Sequence, residues 1–288
     1  MASCGSQSHL VGALSGSLCN LKVGSLNCRG LCNKVKRTEI FDYLKKSGLT
    51  FIFLQETKFS PFKHEEYEED WHNSMIFLNS VRGGKGGTGI LCNSSSVKIL
   101  NKLTDNEGCI LVMDVDVYGS KFHLVNAYFP TEPYLKEDFI ISLYPYLSSN
   151  FPVIWCGDHN IVLNPVLDRL PSTNVHDYCS SHLHELIDFF DFVDVCRYIY
   201  PNKKIYTFRG PTNRSRIDKV LVSPILNIQG YKQLDLLHSD HDLIIAHVQY
   251  RSLINWGKMK WRNNCSLYNE EGFIDKLIFL DFIVLGYK

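Results

Sequence analysis

Alternating apolar and polar residues along the chain predict a protein rich in β-strands. The segment 21–27 alternates in this way, as a strand with one buried face does. Runs of β-branched and aromatic residues predict further strands at 50–54, 74–81, 88–93, 109–117, 121–128, 153–156, 217–222, 231–236 and 243–248. Glycines at 83–87 and the stretch 118–120 separate two pairs of these strands, which predicts hairpin turns.

Helical spacing of apolar residues predicts three helices among the strands. The segment 36–47 carries Ile40, Phe41 and Leu44 at this spacing, and Gly48 is a plausible stop. The second predicted helix is 135–147, and the third is 182–195, whose apolar residues share one face. Strand pairs interrupted by a few helices predict two packed sheets that are covered by helices.

Composition places the chain among ordinary folded proteins. Of its 288 residues, 45% are hydrophobic and 21% are charged, which excludes a disordered or fibrous protein. Thirty basic and thirty acidic residues balance, so no basic excess argues for nucleic-acid binding. Nucleic acid is not excluded, because a bound divalent cation can neutralise phosphate locally. The ten cysteines form no CxxC pair and favour reduced thiols in an intracellular protein.

We expect one domain at 21–250 to carry the chemistry. The small, uncharged residues of 1–20 predict a loose tail without a secretory signal. The composition changes after Tyr250, and 251–288 is typical of a truncated linker. The most apolar stretch there, 277–285, is too short to span a membrane and contains Asp281. We therefore expect a monomer that works away from membranes.

Polar residues cluster where buried strands are predicted to end. Carboxylate or amide side chains at such positions are Asn27, Glu56, Asp158, Asn160 and Asp218, and the stretch 239–241 (Ser-Asp-His) lies just before another strand. Each alone is more often a cap or turn residue. Together they predict an acidic, amide-lined cleft, because rigid strand ends hold side chains at fixed positions.

The residue types in this cleft favour phosphoester hydrolysis. Magnesium prefers oxygen ligands and usually takes one or two carboxylates. Such an ion polarises a phosphoryl group and stabilises charge on the attacking and leaving oxygens. A histidine beside a carboxylate adds an acid–base group or an imidazolium that faces phosphate.

Several stretches resemble one protein superfamily. They are SLNCRGL at 25–31, FLQETK at 53–58, GTGI at 87–90, NAYFP at 126–130, WCGDHN at 155–160, SRIDKVL at 215–221 and SDH at 239–241. The chain thereby resembles the endonuclease/exonuclease/phosphatase superfamily, which includes exonuclease III, apurinic/apyrimidinic endonucleases and deoxyribonuclease I. The stretches LDR at 167–169, DFVDV at 191–195, Pro201 and YTF at 206–208 are most similar to the endonuclease domain of LINE-type retrotransposons.

The resemblance implies an α+β fold, a four-layer α/β/β/α sandwich of two packed, mainly antiparallel sheets flanked by helices. It implies a divalent cation, Mg²⁺ or alternatively Mn²⁺, with Glu56 as principal ligand and Asn27 beside it. The wider set of implied metal contacts is Asn27, Glu56, Asp158, Asn160, Asp240 and His241.

The implied catalytic residues are Tyr128, Asp158, Asn160, Asp218 and His241. Asp158 would align or deprotonate the attacking water, and Asn160 would hold the water or the phosphate. Tyr128 would offer its phenol near the scissile phosphate. His241, oriented by Asp218, would contact a phosphate oxygen.

Three arginines in one predicted loop near Asp218 are candidates for contact with the DNA backbone. They are Arg209, Arg214 and Arg216. Contact with the phosphate backbone would set the position of the protein on DNA. Plain solvation of the loop is an equal alternative for these arginines.

The chain departs from the family pattern at three places. His159 replaces a phenylalanine, for which we expect altered packing rather than lost chemistry. Arg29 stands where repair enzymes tend to carry a second acid, which favours the retrotransposon branch. The segment 261–264 resembles the start of a linker towards a reverse transcriptase, yet the chain ends at Lys288, so we expect a fragment or truncated copy without a polymerase.

The leading hypothesis is an intracellular, nuclear enzyme that cleaves double-stranded DNA and leaves a 3′-hydroxyl and a 5′-phosphate. In retrotransposons that hydroxyl primes reverse transcription. Two alternatives remain: a phosphatase or phosphodiesterase of the same superfamily that acts on another substrate, and an inactive copy that only binds.

Overall fold

Two six-stranded sheets pack face to face in the computed structural model, which describes residues 18–71, 75–81 and 86–251. The first sheet has the order β14 (Asn227–Leu234), β15 (Leu243–Arg251), β1 (Leu18–Asn27), β2 (Phe51–Gln55), β4 (Thr88–Cys92), β3 (Ile76–Asn79). The second has the order β10 (Val193–Asp194), β13 (Asp218–Val222), β8 (Val153–Asp158), β7 (Ser120–Tyr128), β6 (Ile110–Val117), β5 (Val97–Thr104). A small third sheet contains β11 (Phe208–Arg209), β12 (Arg214–Ser215) and β9 (Arg169–Leu170).

Helices cover the outer faces of both large sheets. The helices α1 (Lys34–Lys46) and α2 (His64–Asp70) pack on the first sheet through an apolar cluster that includes Phe41 and Trp71. The second sheet is covered by α3 (Lys136–Ser142), α4 (Tyr144–Leu147) and α5 (Ser180–Phe189), and α6 (Val195–Ile199) contributes to the core between the sheets. A short 3-10 turn, Pro133–Leu135, precedes α3. The predicted four-layer α/β/β/α sandwich is confirmed.

Apolar side chains from both sheets form the central core. Val23 and Phe53 of the first sheet pack in one cluster with Leu124 and Cys156 of the second. Every residue of β2 and β4 is buried, because helices cover one face of these strands and the opposite sheet covers the other. The eight described cysteines are free thiols.

Within the part of the chain that the structure describes, two neighbouring pairs in the large sheets are parallel, β1 with β2 and β7 with β8. The other pairs are antiparallel, as the predicted hairpins require, and both β3–β4 and β6–β7 pair in this way. Parallel strands end at the same edge of a sheet, so the last residues of β1, β2, β7 and β8 are brought to common edges.

The predicted helix 182–195 is too long. In the structure α5 ends at Phe189, and Asp191 takes a left-handed conformation with φ 55°. The apolar spacing misled the prediction because Phe192 turns back into the same core, where its ring lies 5.8 Å from that of Trp155. Val193 then belongs to a short strand rather than to the helix.

Other boundaries also shift. The predicted helix 135–147 is divided between α3 and α4, with Pro145 in the first turn of α4. The strand β1 begins at Leu18, inside the predicted tail 1–20. Glycines 83 and 84, the rest of that tail and nearly all of 251–288 lie outside the described residues. Among the helices that the structure describes, none is long and apolar enough to cross a membrane.

Buried polar side chains join the two sheets close to one edge. The Gln55 Nε2 atom of β2 donates to Asn126 Oδ1 of β7 at 2.8 Å. The Asn126 amide in turn donates to the carbonyl oxygens of Leu54 (2.9 Å) and Gly89 (2.8 Å). Both side chains are fully buried, so these bonds fix how the sheets are aligned at the strand ends.

Gly157 allows the closest approach between β7 and β8. A Cβ atom at this position would lie 1.8 Å from the carbonyl oxygen of Ala127. We expect Gly157→Ala to lower the free energy of unfolding by about 3 kcal/mol, since the strands must move apart. For a domain of this size the Tm should fall by roughly 6–12 °C, measured by calorimetry.

Gly230→Ala in β14 is the matched control for this substitution. Nothing lies within 4 Å of a Cβ atom at Gly230. Its Tm should stay within about 2 °C of the wild-type value. Equal melting temperatures for the two variants would show that close packing at Gly157 does not limit stability.

Candidate active site

Strand ends from both sheets place the predicted polar residues at one edge of the sandwich. Asn27 is the last residue of β1, and Glu56 directly follows β2. Tyr128 and Asp158 are the last residues of β7 and β8 and lie opposite each other in register. These four side chains come from the ends of four strands and from both sheets. The strand-end pattern predicted a common edge for Asn27, Glu56 and Asp158, and the family resemblance added Tyr128.

Asp218 reaches the same edge in a different way from the one expected. It begins the strand β13 instead of ending one. Because β13 is antiparallel to β8, its first residue lies beside the last residue of β8, and Asp218 is the register partner of Asp158.

The loop before β15 brings the last predicted residues to the cleft. The Ser239 hydroxyl donates to the carbonyl oxygen of Asn27 at 2.7 Å. The same oxygen atom, Ser239 Oγ, accepts from the backbone N–H of His241 at 3.1 Å. His241 also forms a β-bridge with Phe208. The loop is thereby fixed to the end of β1, and Asp240 and His241 lie at that edge.

Asn27 lies between the two carboxylates of the cleft. Its side-chain Nδ2 donates to Glu56 Oε1 and to Asp158 Oδ2, both at 2.9 Å. The Tyr128 hydroxyl donates to the same Glu56 oxygen at 3.1 Å. The second Glu56 oxygen, Oε2, lies 3.5 Å from Lys58 Nζ. Glu56 itself has φ 48°, a left-handed conformation that turns its side chain into the cleft edge.

Asn160 is held by its neighbours. Its backbone N–H donates to Asp158 Oδ1 at 2.9 Å, and its side-chain Nδ2 donates to the carbonyl oxygen of Phe129 at 2.9 Å. The Lys136 ammonium binds the Asn160 carbonyl oxygen at 2.6 Å. Asn160 also has a left-handed backbone, with φ 48°. These contacts orient Asp158 and hold Asn160 at the wall of the cleft.

His241 forms a buried ion pair. Its Nδ1 lies 2.9 Å from Asp218 Oδ2 and 3.1 Å from Oδ1. The Thr207 hydroxyl donates to Asp218 Oδ2 at 2.6 Å and accepts from the Asp218 backbone N–H at 3.1 Å. The other ring nitrogen, Nε2, lies 3.9 Å from Asp158 Oδ2. Asp218 therefore orients the ring so that Nε2 is directed towards the cleft.

The surroundings raise the pKa values of three central groups, His241, Asp158 and Tyr128, for different physical reasons. Burial would lower the pKa of His241, but Asp218, followed by Asp158 and Asp240, raises it to about 9. Burial and then the charge of Asp218 raise the pKa of Asp158 to about 6, against the opposing effect of His241. Burial and the Glu56 carboxylate raise the pKa of Tyr128 strongly, so its phenol stays protonated. At neutral pH the cleft thus contains an imidazolium, carboxylates and a phenol donor.

These residues surround a cleft of about 290 Å³. Glu56, Asp158 and His241 line it, together with Arg29 and Phe208. Ligand atoms of Asp158, Asp218 and His241 lie within 4.8 Å of one another. The carboxylates of Glu56 and Asp158, joined through one amide, supply the oxygen donors that a hard divalent cation requires. The donor set therefore fits a magnesium-like ion.

Asp240 pairs with an arginine that the sequence did not assign to the site. Arg29 Nε donates to Asp240 Oδ1 at 2.8 Å, and Nη2 donates to Oδ2 at 2.5 Å. Partial burial would raise the pKa of Asp240, but its bonds from Arg29 lower it overall. The position of Arg29 beside Asn27 was the only sequence signal that could have indicated this contact.

His159 belongs to the core and not to the cleft. It is fully buried, and its ring centroid lies 4.8 Å from that of Trp155 and 4.9 Å from that of Phe129. Burial and the charge of Lys219 hold its pKa well below the usual value, so the ring is neutral. A neutral ring packed between aromatic side chains can fill the space of a phenylalanine.

The three loop arginines occupy different environments. Arg216 is 1% exposed and forms ion pairs with Asp168 (2.8 Å) and Asp194 (2.8 Å). The prediction that Arg216 contacts the DNA backbone is therefore wrong, because its guanidinium is buried and paired with two aspartates inside the protein. Arg209 pairs with Asp242 and Asp235 and is partly exposed, whereas Arg214 is exposed.

Comparison with known proteins adds independent findings. The model of the "Endonuclease/Exonuclease/phosphatase family" matches residues 24–241. The chain is 26% identical over 262 residues to the "Transposon TX1 uncharacterized 149 kDa protein" of Xenopus laevis, covering 88% of this chain but 20% of that protein. It is 26% identical over 253 residues to a "DNA-(apurinic or apyrimidinic site) endonuclease" of Dictyostelium discoideum, covering 77% of this chain and 68% of the relative.

A bacterial relative and solved structures agree with this similarity. An "Exodeoxyribonuclease" of Bacillus subtilis is 25% identical, with 77% of this chain and 96% of the relative covered. An AP endonuclease structure from Archaeoglobus fulgidus matches with a TM-score of 0.65 at 21% identity, covering 78% of this chain and 98% of that one. One from Leishmania major matches with a TM-score of 0.67 at 18% identity, covering 81% and 88%. At these identities the structures show the shared fold.

The ion pair between His241 and Asp218 can be tested by titration. We expect NMR of the His241 ring in the metal-free chain to give a midpoint near 9, the pKa raised by Asp218. Because the pKa of His241 is raised in the folded chain, protonation of its ring stabilises the fold. This stabilisation is complete below the unfolded pKa of about 6.5 and is lost as the pH rises through about 9. In Asp218→Asn the midpoint should fall towards about 6.5.

Asp235→Asn is the matched control, since Asp235 pairs with Arg209 and its side chain is 74% exposed. Its His241 midpoint should equal that of the wild type. A wild-type midpoint below 7, or one that Asp218→Asn leaves unchanged, would contradict the assigned pair.

Proposed function

The chain belongs to the endonuclease/exonuclease/phosphatase family, and from its cleft we propose that it is a Mg²⁺-dependent DNA endonuclease. The observation that carries the proposal is the meeting of Glu56, Asp158 and the His241–Asp218 pair at one edge. These residues lie far apart in the sequence, and the stability of the fold does not require them to bring carboxylates and an imidazolium together. A cleft that binds a cation and a phosphate gives such a reason.

Glu56 is the proposed principal ligand of the metal, with Asn27 beside it. Mg²⁺ is the expected ion, and Mn²⁺ is an alternative with the same preference for oxygen donors. When bound, the ion polarises the phosphoryl group and stabilises charge on the attacking and leaving oxygens. The Tyr128 hydroxyl, which donates to Glu56, keeps this carboxylate oriented and lies close to the phosphate.

Asp158 is the proposed acceptor of the proton from the attacking water. Its pKa of about 6 leaves it ionised at neutral pH while keeping it a useful base. Asn160, whose backbone N–H donates to Asp158, helps to hold the water or the phosphate. The water oxygen bonds to phosphorus as its proton passes to Asp158. The bond from phosphorus to the 3′ oxygen breaks, and this leaving oxygen takes up a proton from solvent water. The products are a 3′-hydroxyl and a 5′-phosphate.

His241 is the proposed contact to a nonbridging phosphate oxygen. As an imidazolium it carries positive charge where the transition state gains negative charge, and Asp218 fixes its orientation. The pair therefore acts as a preorganised anion-binding group, which does not have to reorient as the negative charge develops.

Double-stranded DNA is the proposed substrate. The names of two relatives, a DNA-(apurinic or apyrimidinic site) endonuclease and an exodeoxyribonuclease, support this substrate class. We propose a retrotransposon-type nicking role in the nucleus, in which the new 3′-hydroxyl primes DNA synthesis. The similarity to a transposon protein supports the retrotransposon branch. The chain spans about a fifth of that protein, so its other activities are not transferred.

Supercoiled plasmid tests the proposed activity directly. The full chain with Mg²⁺ should convert supercoiled plasmid to the nicked form, and EDTA should stop the conversion. Glu56→Gln should lower the nicking rate at least about 100-fold. Mutation of residues that only support metal ligands already lowers metal affinity or activity 10–100-fold, and Glu56 is the proposed ligand itself. A polymerase should extend the nick without phosphatase treatment if the end is a 3′-hydroxyl.

Glu68→Gln is the matched control, since Glu68 is exposed on α2 and away from the cleft residues. Its nicking rate should match the wild type. Hydrolysis of a phosphoinositide without nicking of DNA would instead support a non-DNA substrate. DNA binding without turnover by the folded wild-type chain would support an inactive copy.

A further inference from the structure

Arg29 is fixed by its backbone at the mouth of the cleft. Its N–H donates to Asn27 Oδ1 at 3.1 Å, and its carbonyl oxygen accepts from Lys36 Nζ at 3.2 Å. The next residue, Gly30, donates its N–H to the carbonyl oxygen of Glu56 at 2.7 Å. Arg29 has φ 50°, a conformation that non-glycine residues take mainly where surrounding contacts impose it.

The guanidinium group of Arg29 is also oriented. Its Nε and Nη2 make two parallel bonds to the oxygens of Asp240, at 2.8 and 2.5 Å. Its Cζ lies 6.0 Å from the centroid of the Phe208 ring. Two bonds to one carboxylate fix the plane of a guanidinium, whereas a single bond would leave it free to rotate.

This orientation leaves hydrogen-bond donors available to a ligand. A guanidinium has five N–H donors, and Asp240 accepts two. Among the described residues, no other oxygen accepts a hydrogen bond from the three remaining N–H donors of the Arg29 guanidinium. The Arg29 side chain is 44% exposed and lines the same cleft as Glu56, Asp158 and His241. The free edge of the group is thus accessible to a molecule that enters the cleft.

The charges in the cleft favour an anion at this position. Asp218 is paired with His241, and Asp240 is paired with Arg29. Glu56 and Asp158 remain as the carboxylates joined by Asn27. A cation placed on Asp240 would lie next to the Arg29 guanidinium, which repels it. A phosphate oxygen at the free edge of Arg29 is attracted by the guanidinium and gains charge-assisted hydrogen bonds.

We infer that Arg29 binds a DNA phosphate in this cleft and that Asp240 positions Arg29 instead of binding the metal. The inference rests on the proposed function for its ligand, and it departs from the sequence-based expectation that Asp240 contacts the metal. Arginine suits the task because its planar donors match phosphate geometry, and contacts of this kind set register and affinity on DNA.

DNA affinity measured without catalysis tests the phosphate contact. The full chain is titrated onto a fluorescent mixed-sequence duplex in Ca²⁺ at several salt concentrations. Arg29→Met should weaken binding about tenfold, as the loss of a charge-assisted bond does. It should also reduce the magnitude of the salt slope by about one, because one fewer counterion is released.

Arg29→Lys separates charge from geometry. It keeps the positive charge, so the salt slope should stay close to the wild-type value. It lacks the fork that Asp240 orients, so the affinity should still fall several-fold. This variant also keeps the test decisive if Arg29→Met melts well below the wild type.

Lys98→Ala is the matched control for charge removal. Lys98 is exposed on β5 and pairs in register with Asp116 of β6. Asp116 in turn pairs with Lys121, near the start of β7. The cleft lies at the other end of β7, roughly 20 Å away at the rise of a strand. This variant should leave both the affinity and the salt slope unchanged.

Metal affinity tests the role given to Asp240. Mn²⁺ binding to the DNA-free chain is measured by calorimetry or electron paramagnetic resonance. Asp240→Asn and Arg29→Met should leave the Mn²⁺ affinity within about twofold, whereas Glu56→Gln should lower it at least about tenfold. Asp240→Asn should weaken DNA binding, because Arg29 is no longer held in one orientation.

Two results would overturn the inference. One is wild-type DNA affinity and salt slope in folded Arg29→Met. The other is a loss of Mn²⁺ affinity in Asp240→Asn as large as that in Glu56→Gln. A chain that binds DNA through Arg29 but does not nick it refutes the proposed catalysis alone. A wild-type chain that does not bind DNA refutes both.

Discussion

The amide of Asn27 is the contact on which the arrangement of the cleft depends. It donates from the end of β1, in the first sheet, to Asp158 at the end of β8, in the second. The same nitrogen holds Glu56, so one side chain sets the separation of two carboxylates from opposite sheets. Deeper in the interior, the hydrogen bond between Gln55 of β2 and Asn126 of β7 also joins the two sheets. Buried polar bonds of this kind are costly when incomplete, so the two layers tolerate little sliding at this edge.

Charge pairing explains how so many ionisable groups can lie together. An unpaired buried carboxylate would be protonated or would destabilise the fold. The buried Asp218 avoids this through His241 and Thr207, and the partly exposed Asp240 is paired with Arg29. Glu56 and Asp158 have weaker compensation, from neutral donors and from the more distant charges of Lys58 and His241. The remaining negative potential is therefore concentrated where a divalent cation would be most stabilised.

The sequence predicted well what depends on local pattern. Strand alternation located most strands of both sheets, and polar residues after buried strands located Asn27, Glu56 and Asp158 at one edge. It predicted poorly what depends on tertiary contacts. The helix at 182–195 was too long because Phe192 continues the apolar spacing after the chain has turned. Arg216 was a candidate for contact with DNA or solvent, because nothing local reveals that Asp168 and Asp194 lie beside it. Thr207 and Asn126 carry no signal of their partners for the same reason.

Arg29 and Arg216 illustrate how burial decides the role of an arginine. Both make paired bonds to a carboxylate, and both lie within a few residues of an implied active-site residue. Arg216 is 1% exposed and is bound by two aspartates, so its charge is neutralised within the protein. Arg29 is bound by one aspartate and opens onto the cleft, so its charge can act on a ligand. The distinction rests on the number of acceptors around the guanidinium, which spacing along the chain does not determine.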